Sequence, residues 1–291
     1  MEPRLIKVTK LDHISAATPE WKPQFDLMHK LFGLKLLHEF EAAPGFPFGG
    51  IVSQVHGTNM EWELLTPNSP DSFVQKFLDK QGPGMHHITL EVEDIDEAAA
   101  EMERLGMKPF GGLTEDGQWR MTYIHPKDSN GILWQLFTLL PGKGSAEDRT
   151  ATPGALGTIR FDHVSMATDD LDKQVEWQAR VLGMEALSRW QDDEMGYKAA
   201  IMSIPGSGLQ FEMMEPTRPD SCVQKFIEER GTGLHHVCVQ VESTEGAAAA
   251  LEEAGITPFG GIIDNGWKKH TFLHPKDSGG VLFQLFEDRD D

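Results

Sequence analysis

The chain has 291 residues, enough for roughly two ordinary domains with sizeable cores. Its hydrophobic fraction of 39% and charged fraction of 25% fit a globular protein, while a net charge of −20 disfavours nucleic acid and anionic membrane as partners. Two cysteines, Cys222 and Cys238, make no disulfide framework, Met1 to Lys10 holds no apolar signal core, and no apolar run approaches a membrane span, so the expected compartment is the cytoplasm.

In chain order, a strand over Leu11–Ala16 carries His13. A helix follows over Pro19–Phe32, with Trp21, Phe25, Met28 and Phe32 at helical spacing and Gly33 as its stop. Strands are expected around Lys35–Phe40, Gly50–Val55 and Met60–Leu65, then a helical connector over Asp71–Lys80. The order then restarts with the strand His86–Val92, a helix from Ile95 to Leu105 with Asp94 as N-cap and Gly106 as stop, and strands around Lys108–Phe110, Met121–His125 and Ile132–Phe137. A repeat of about 149 residues then governs the rest. Asp71-Ser72-Phe73-Val74-Gln75-Lys76-Phe77 returns as Asp220-Ser221-Cys222-Val223-Gln224-Lys225-Phe226, Pro109-Phe110-Gly111-Gly112 as Pro258-Phe259-Gly260-Gly261, and His125-Pro126-Lys127-Asp128-Ser129 as His274-Pro275-Lys276-Asp277-Ser278. The chain therefore reads as two homologous halves, 1–140 and 158–291, joined by a Gly- and Pro-rich linker over 141–157.

Gly84-Met85-His86-His87-Ile88-Thr89-Leu90-Glu91-Val92 and Gly233-Leu234-His235-His236-Val237-Cys238-Val239-Gln240-Val241 alternate with period two. His86, Ile88, Leu90 and Val92 share one face, and His87, Thr89 and Glu91 the other; His235 and His236 divide in the same way. A polar strand face must be solvated, hydrogen-bonded or occupied by a ligand, and neutral imidazole is a common metal ligand. His87 and His236 are thus candidate metal ligands, against the plainer reading of buried, hydrogen-bonded histidines. Glu61 and Glu63 share a face of an otherwise apolar strand, as Gln210 and Glu212 do in the second half. The last strand of each half carries one Gln among apolar neighbours, Gln135 and Gln284.

Each half resembles methylmalonyl-CoA epimerases of the vicinal oxygen chelate (glyoxalase/bleomycin resistance/dioxygenase) superfamily. The residues that carry the likeness are Leu11-Asp12-His13-Ile14, Glu63-Leu64-Leu65-Thr66-Pro67, Gly84-Met85-His86-His87-Ile88 and His125-Pro126-Lys127-Asp128, with Phe161-Asp162-His163-Val164, Glu212-Met213-Met214-Glu215-Pro216, Gly233-Leu234-His235-His236-Val237 and His274-Pro275-Lys276-Asp277 in the second half. The resemblance implies an α+β architecture of four βαβββ modules in two tandem halves, each pair forming a cupped mixed β-sheet around a metal cleft. It implies one divalent ion (Co, Mn, Fe, Ni or Zn) per half, held by His13, Glu63, His87 and Gln135 in the first and by His163, Glu212, His236 and Gln284 in the second.

One departure matters. The epimerases place Glu, which also serves as a base, where this chain has Gln135 and Gln284. Proton removal beside a carbonyl needs a group of suitable pKa, which an amide is not. The base would then be Glu63 or Glu212, Glu61 in the first half, or hydroxide on the metal. Glu194, in the loop after the second strand of the second half, is a candidate for the family's other base. The first half offers only Ala42-Ala43-Pro44-Gly45 nearby. Phe110-Gly111-Gly112 and Phe259-Gly260-Gly261 read as flaps, with Trp119, Arg120, Trp267, Lys268 and Lys269 following and able to meet substrate.

The expected function is a metal-dependent isomerase, epimerase or lyase acting on a small carbonyl or acyl substrate through an enolate or enediolate. A ferrous ring-cleaving dioxygenase and a non-catalytic small-ligand binder are the competing readings on the same scaffold. The expected partner is a small-molecule substrate, and homo-oligomerisation is the one self-association to test.

Overall fold

The computed structural model describes residues 6–41, 47–142, 150–266 and 268–288. The first repeat comprises β1 (Val8–Ala17), α1 (Trp21–Phe32), β2 (Lys35–Phe40), β3 (Phe48–Gln54) and β4 (Glu61–Pro67), and α2 (Phe73–Gln81) leads out of it. The second comprises β5 (Gly84–Val92), α3 (Ile95–Arg104), β6 (Phe110–Glu115), β7 (Trp119–Ile124) and β8 (Trp134–Leu139). The third comprises β9 (Thr158–Ala167), α4 (Leu171–Leu182), β10 (Glu185–Asp192), β11 (Tyr197–Ser203) and β12 (Gln210–Pro216), followed by α5 (Cys222–Arg230). The fourth comprises β13 (Gly233–Val241), α6 (Thr244–Glu253), β14 (Phe259–Asp264), β15 (Lys268–Leu273) and β16 (Leu282–Asp288).

Local chemistry sets the helix ends. Asp94 caps α3 by accepting from the N–H groups of Asp96 and Glu97 at 2.8 and 3.0 Å. Ser72 and Ser221 cap α2 and α5 in the same way. Gly33 and Gly183 close α1 and α4 in the left-handed region, with φ of 70° and 67°.

The strands form two eight-stranded mixed sheets, ordered β2-β3-β4-β1-β5-β8-β7-β6 and β10-β11-β12-β9-β13-β16-β15-β14. The first strand of each repeat thus lies beside the first strand of its neighbour, and the fourth strands flank them. β5 and β8 are parallel, with Thr89 opposite Gln135; β13 and β16 repeat this with Cys238 opposite Gln284. The polar series β4-β1-β5-β8 is therefore contiguous at the centre of the first sheet, and β12-β9-β13-β16 at the centre of the second.

Three expectations needed revision. The strand placed at Lys108–Phe110 begins instead at Phe110 and runs to Glu115. The Phe-Gly-Gly segments are not flaps but the starts of the edge strands β6 and β14. Pairing breaks between Phe110↔Tyr123 and Thr114↔Met121, where Gly111 and Gly112 take φ of 78° and 74°, a backbone suited to glycine and to a bulge. The described part of the expected linker is tied down: Ala155 and Leu156 donate backbone hydrogen bonds to the carbonyls of Lys30 and Leu31 at 3.0 and 2.9 Å.

By Cα proximity the chain gathers into two compact units, one joining the second repeat to the third and the other the first to the fourth. In the latter, Phe32, Trp62, Phe161 and Phe283 form an aromatic cluster, with Phe32 and Phe283 centroids 4.7 Å apart. In the former, Trp134 meets Phe211 at 5.6 Å. No helix among the described residues is long and apolar enough to cross a membrane.

Candidate metal centres

Four central strands of the first sheet each contribute one polar side chain to a common cluster. His13 on β1 is buried at 1% exposure, its Nδ1 lying 2.9 Å from Asp12 Oδ2. Burial pushes the Asp12 carboxyl up, but the hydrogen bond and charge of His13, and then Lys10 at 2.9 Å, outweigh it and bring its pKa to about 2. A carboxylate at Nδ1 fixes the proton there and leaves Nε2 as the electron-pair donor. That Nε2 lies 2.8 Å from Thr89 Oγ1. The Thr89 hydroxyl donates to Gln135 Oε1 at 2.8 Å, and His87 Nε2 lies 3.1 Å from the same oxygen. The Ser15 hydroxyl donates to Glu63 Oε2. One ligand-capable atom from each of His13, Glu63 and His87 lies within 4.8 Å of the others.

The second sheet repeats the arrangement with His163, Glu212 and His236, again within 4.8 Å of one another and all buried. Asp162 Oδ2 lies 2.9 Å from His163 Nδ1, and Arg160 holds the other carboxylate oxygen at 2.6 Å. Ser165 donates to Glu212 at 2.6 Å, and the Cys238 thiol donates to Gln284 Oε1 at 3.3 Å. Each set offers two imidazole nitrogens and a carboxylate, with an amide oxygen beside them in the strand order. This donor chemistry suits a divalent first-row ion, and the Asp behind each of His13 and His163 is the outer partner that such a ligand uses.

The side chains proposed for substrate fare differently. Trp119 stands beside the first cluster, 5.9 Å from the His13 ring and stacked on Phe137 at 4.3 Å. Arg120 and Lys269 are not brought to the clusters. Period-two alternation turns them to the opposite sheet face, where Arg120 is paired with Asp96 at 2.7 Å and Glu115 at 2.8 Å, and Lys269 with Glu245 at 2.7 Å and Glu287 at 3.3 Å. Glu194 sits exposed on the turn between β10 and β11, where its carbonyl accepts from Arg218, and it joins neither triad. Trp267 and Ala42-Ala43-Pro44-Gly45 lie outside the described residues.

The sequence reading gave no role to Asp12, Asp162, Ser15, Ser165, Met121 or His270. The signals were there. An Asp precedes the strand-one histidine in both halves, and the serines fall two residues on, on the histidine's own face.

A family model for the Glyoxalase/Bleomycin resistance protein/Dioxygenase superfamily matches residues 12–123 and 162–273. The mitochondrial methylmalonyl-CoA epimerase of Bos taurus is 31% identical over 173 residues, 57% of this chain and 97% of that protein. The ethylmalonyl-CoA/methylmalonyl-CoA epimerase of Cereibacter sphaeroides is 30% identical over 130 residues, 43% of this chain and 96% of its own length. A substituted 4-hydroxymandelate synthase from Streptomyces coelicolor superposes with a TM-score of 0.69 over 98% of this chain and 94% of that chain, at 15% identity, a likeness of fold alone.

Proposed function

The chain belongs to the Glyoxalase/Bleomycin resistance protein/Dioxygenase superfamily, and from that premise we propose a metal-dependent isomerase of the epimerase type with one site in each half, 1–140 and 158–291. The observation that carries the reading is the pair of His-Glu-His triads, buried but for the half-buried Glu63, each on neighbouring central strands. His13, Glu63, His87 and Gln135 would hold one divalent ion, and His163, Glu212, His236 and Gln284 the other. A bound ion would act as a Lewis acid toward a carbonyl oxygen. This chain's residues do the rest. Asp12 and Asp162 fix the donor nitrogen of the histidine next to them. Ser15 and Ser165 orient the carboxylates of Glu63 and Glu212, which would serve as the base toward the carbon beside the carbonyl when released from the ion. Gln135 and Gln284 orient but cannot accept that proton. The names of the epimerase relatives make a methylmalonyl thioester the first substrate to try.

The test has two parts. Metal content by mass spectrometry is expected at two ions per chain, falling by one in His87→Ala and by one in His236→Ala. Incubation of methylmalonyl-CoA in heavy water should place deuterium beside the carbonyl, and Glu63→Gln combined with Glu212→Gln should abolish it. Wild-type protein that keeps no metal after loading, or that exchanges no proton with any 2-substituted malonyl thioester, would overturn the reading.

A further inference from the structure

Inversion at a carbon beside a carbonyl takes a proton from one face and returns one to the other, so it needs two proton-transfer groups. In the first half Glu63 serves one face, and the amide of Gln135 cannot serve the other. Both ends of that amide are already engaged: Oε1 accepts from the Thr89 hydroxyl at 2.8 Å, and Nε2 donates to Met121 Sδ at 2.9 Å.

The next strand holds a group that can. β7 pairs antiparallel with β8, and Tyr123 stands directly opposite Gln135. Directly opposed residues of an antiparallel pair share a face, so Tyr123 lies on the face that carries the ligand residues. Its ring meets that of His87 edge-on, with centroids 6.3 Å apart and planes at 77°. The sheet order β4-β1-β5-β8-β7 then puts Glu63 and Tyr123 on opposite flanks of the row His13, His87 and Gln135. A carbonyl substrate seated on that row has a carboxylate on one side and a phenol on the other. A phenol both donates and accepts, and tyrosine is among the side chains that transfer protons in catalysis. Tyr123 is half-buried, whereas Thr122 and Ile124 beside it are fully buried on the other face, which leaves water a route to renew the phenol proton. In the second half Phe272 stands opposite Gln284, and the hydroxyl is missing from that place.

We propose that Tyr123 is the second proton-transfer residue of the first half, acting on the face opposite Glu63. The proposal rests on the isomerase reading and deepens it. Glu63 takes the hydrogen as a proton, and the electron pair of the broken C–H bond passes into the carbonyl to give an enolate. The Tyr123 O–H bond then breaks, a new C–H bond forms on the other face, and a phenolate remains. Water returns a proton to Tyr123 and takes one from Glu63, so no co-reactant is consumed. The reverse reaction uses the same two groups with their roles exchanged.

The R and S forms of methylmalonyl-CoA, incubated separately in heavy water, decide it. The protein is the full, metal-loaded chain carrying Glu212→Gln, so that only the first half turns over. Configuration and deuterium are read on the same samples. With Tyr123 in place the two forms should interconvert, and every inverted molecule should carry deuterium from the first turnover, because the hydrogen it gains never belonged to the substrate. Tyr123→Phe, the second half's residue, should slow inversion on the order of a hundredfold or more, confine exchange to the one form whose hydrogen faces Glu63, and keep the metal content. Undiminished inversion in Tyr123→Phe, or inverted product that keeps the substrate's own hydrogen when Tyr123 is present, would overturn the proposal and leave the isomerase reading standing. Equal loss of inversion and of single-form exchange in Tyr123→Phe would make its role structural and overturn the proposal as well. No exchange of either form by the wild-type chain would sink the isomerase reading itself, and this proposal with it.

Discussion

At the scale of single residues, the strongest device is the carboxylate behind the buried histidine. Asp12 reaches His13 at 2.9 Å, as Asp162 reaches His163 at 2.9 Å. Outer partners of this kind tune affinity rather than supply it. Asp12→Asn should lower first-site metal affinity roughly 10–100-fold and leave the second site alone, with Asp162→Asn doing the reverse; chelator competition reads both. The other histidine of each pair behaves differently. Burial holds His86 and His235 down from 6.5 to about 4, with aromatic neighbours Phe77 at 4.8 Å and Phe226 at 4.7 Å. Between those values the unfolded chain binds a proton that the folded chain refuses. Stability is therefore complete above pH 6.5 and falls as pH drops toward 4, by roughly 1.4 kcal/mol per pH unit for each such histidine. Asp12, held at about 2, keeps its contribution throughout that window. Urea midpoints of metal-free protein should follow this slope, to which the partly exposed His270 adds a smaller share, and His86→Leu should flatten it by between about a third and a half. A midpoint independent of pH from 6.5 to 4 would refute the burial argument.

At the scale of elements, the ends of helices carry the sharpest test. Gly33 closes α1 at φ 70°, and a Cβ there would meet the Thr152 carbonyl oxygen at 2.0 Å, within the segment that binds the end of that helix. Gly82 closes α2 at φ 73° with nothing within 4 Å of a Cβ. Gly33, at ψ 24°, pays about 1 kcal/mol for a side chain in the left-handed region, and Gly82, at ψ −176°, about 1–3 kcal/mol in a region open almost only to glycine, but only Gly33 must also displace backbone. Gly33→Ala should therefore cost more than Gly82→Ala, about 4 kcal/mol or more against about 1–3, by chemical denaturation. Equal losses would mean that the segment around Thr152 yields easily. The edge strands teach a related lesson. Period and composition suggested movable flaps at Phe110-Gly111-Gly112, yet two glycines in a row also serve a bulge, and only pairing with Tyr123 and Met121 tells the two apart.

At the scale of the whole molecule, binding should register as stability. An ion that binds only the folded chain adds about 2.7 kcal/mol per site when present at 100 times its dissociation constant. Thermal unfolding should shift upward with metal, reverse with chelator, and shift by a smaller amount in either His87→Ala or His236→Ala. The variant lacking both histidines should not respond. A full response in that variant would place the ion elsewhere.

The sequence by itself determined the repeat unit, its fourfold use, the strand order within each unit, and the polar face of each ligand strand. These are local properties: period-two alternation, caps such as Asp94, and turn chemistry such as His125-Pro126-Lys127-Asp128, which forms a short 3-10 turn with the His125 ring accepting from Lys127 N–H. Glu63, His87 and Gln135 stood out because a polar group on an otherwise apolar strand is costly without a partner, but the set His13, Glu63, His87 and Gln135 as candidate ligands came from the family resemblance. Only the tertiary structure decided which residues stand beside them. Arg120 and Trp119 are neighbours in sequence, and one step of the pleat sends the first to an ion pair with Asp96 and the second to His13. Register across β15 and β16 puts Lys268 in the place of Trp119, as the 149-residue offset of the repeat already implies. The pairing of the first repeat with the fourth and the second with the third was equally unreadable, because packing of Phe32 on Phe283 joins residues some 250 apart and any apolar partner of similar size satisfies the same sequence pattern.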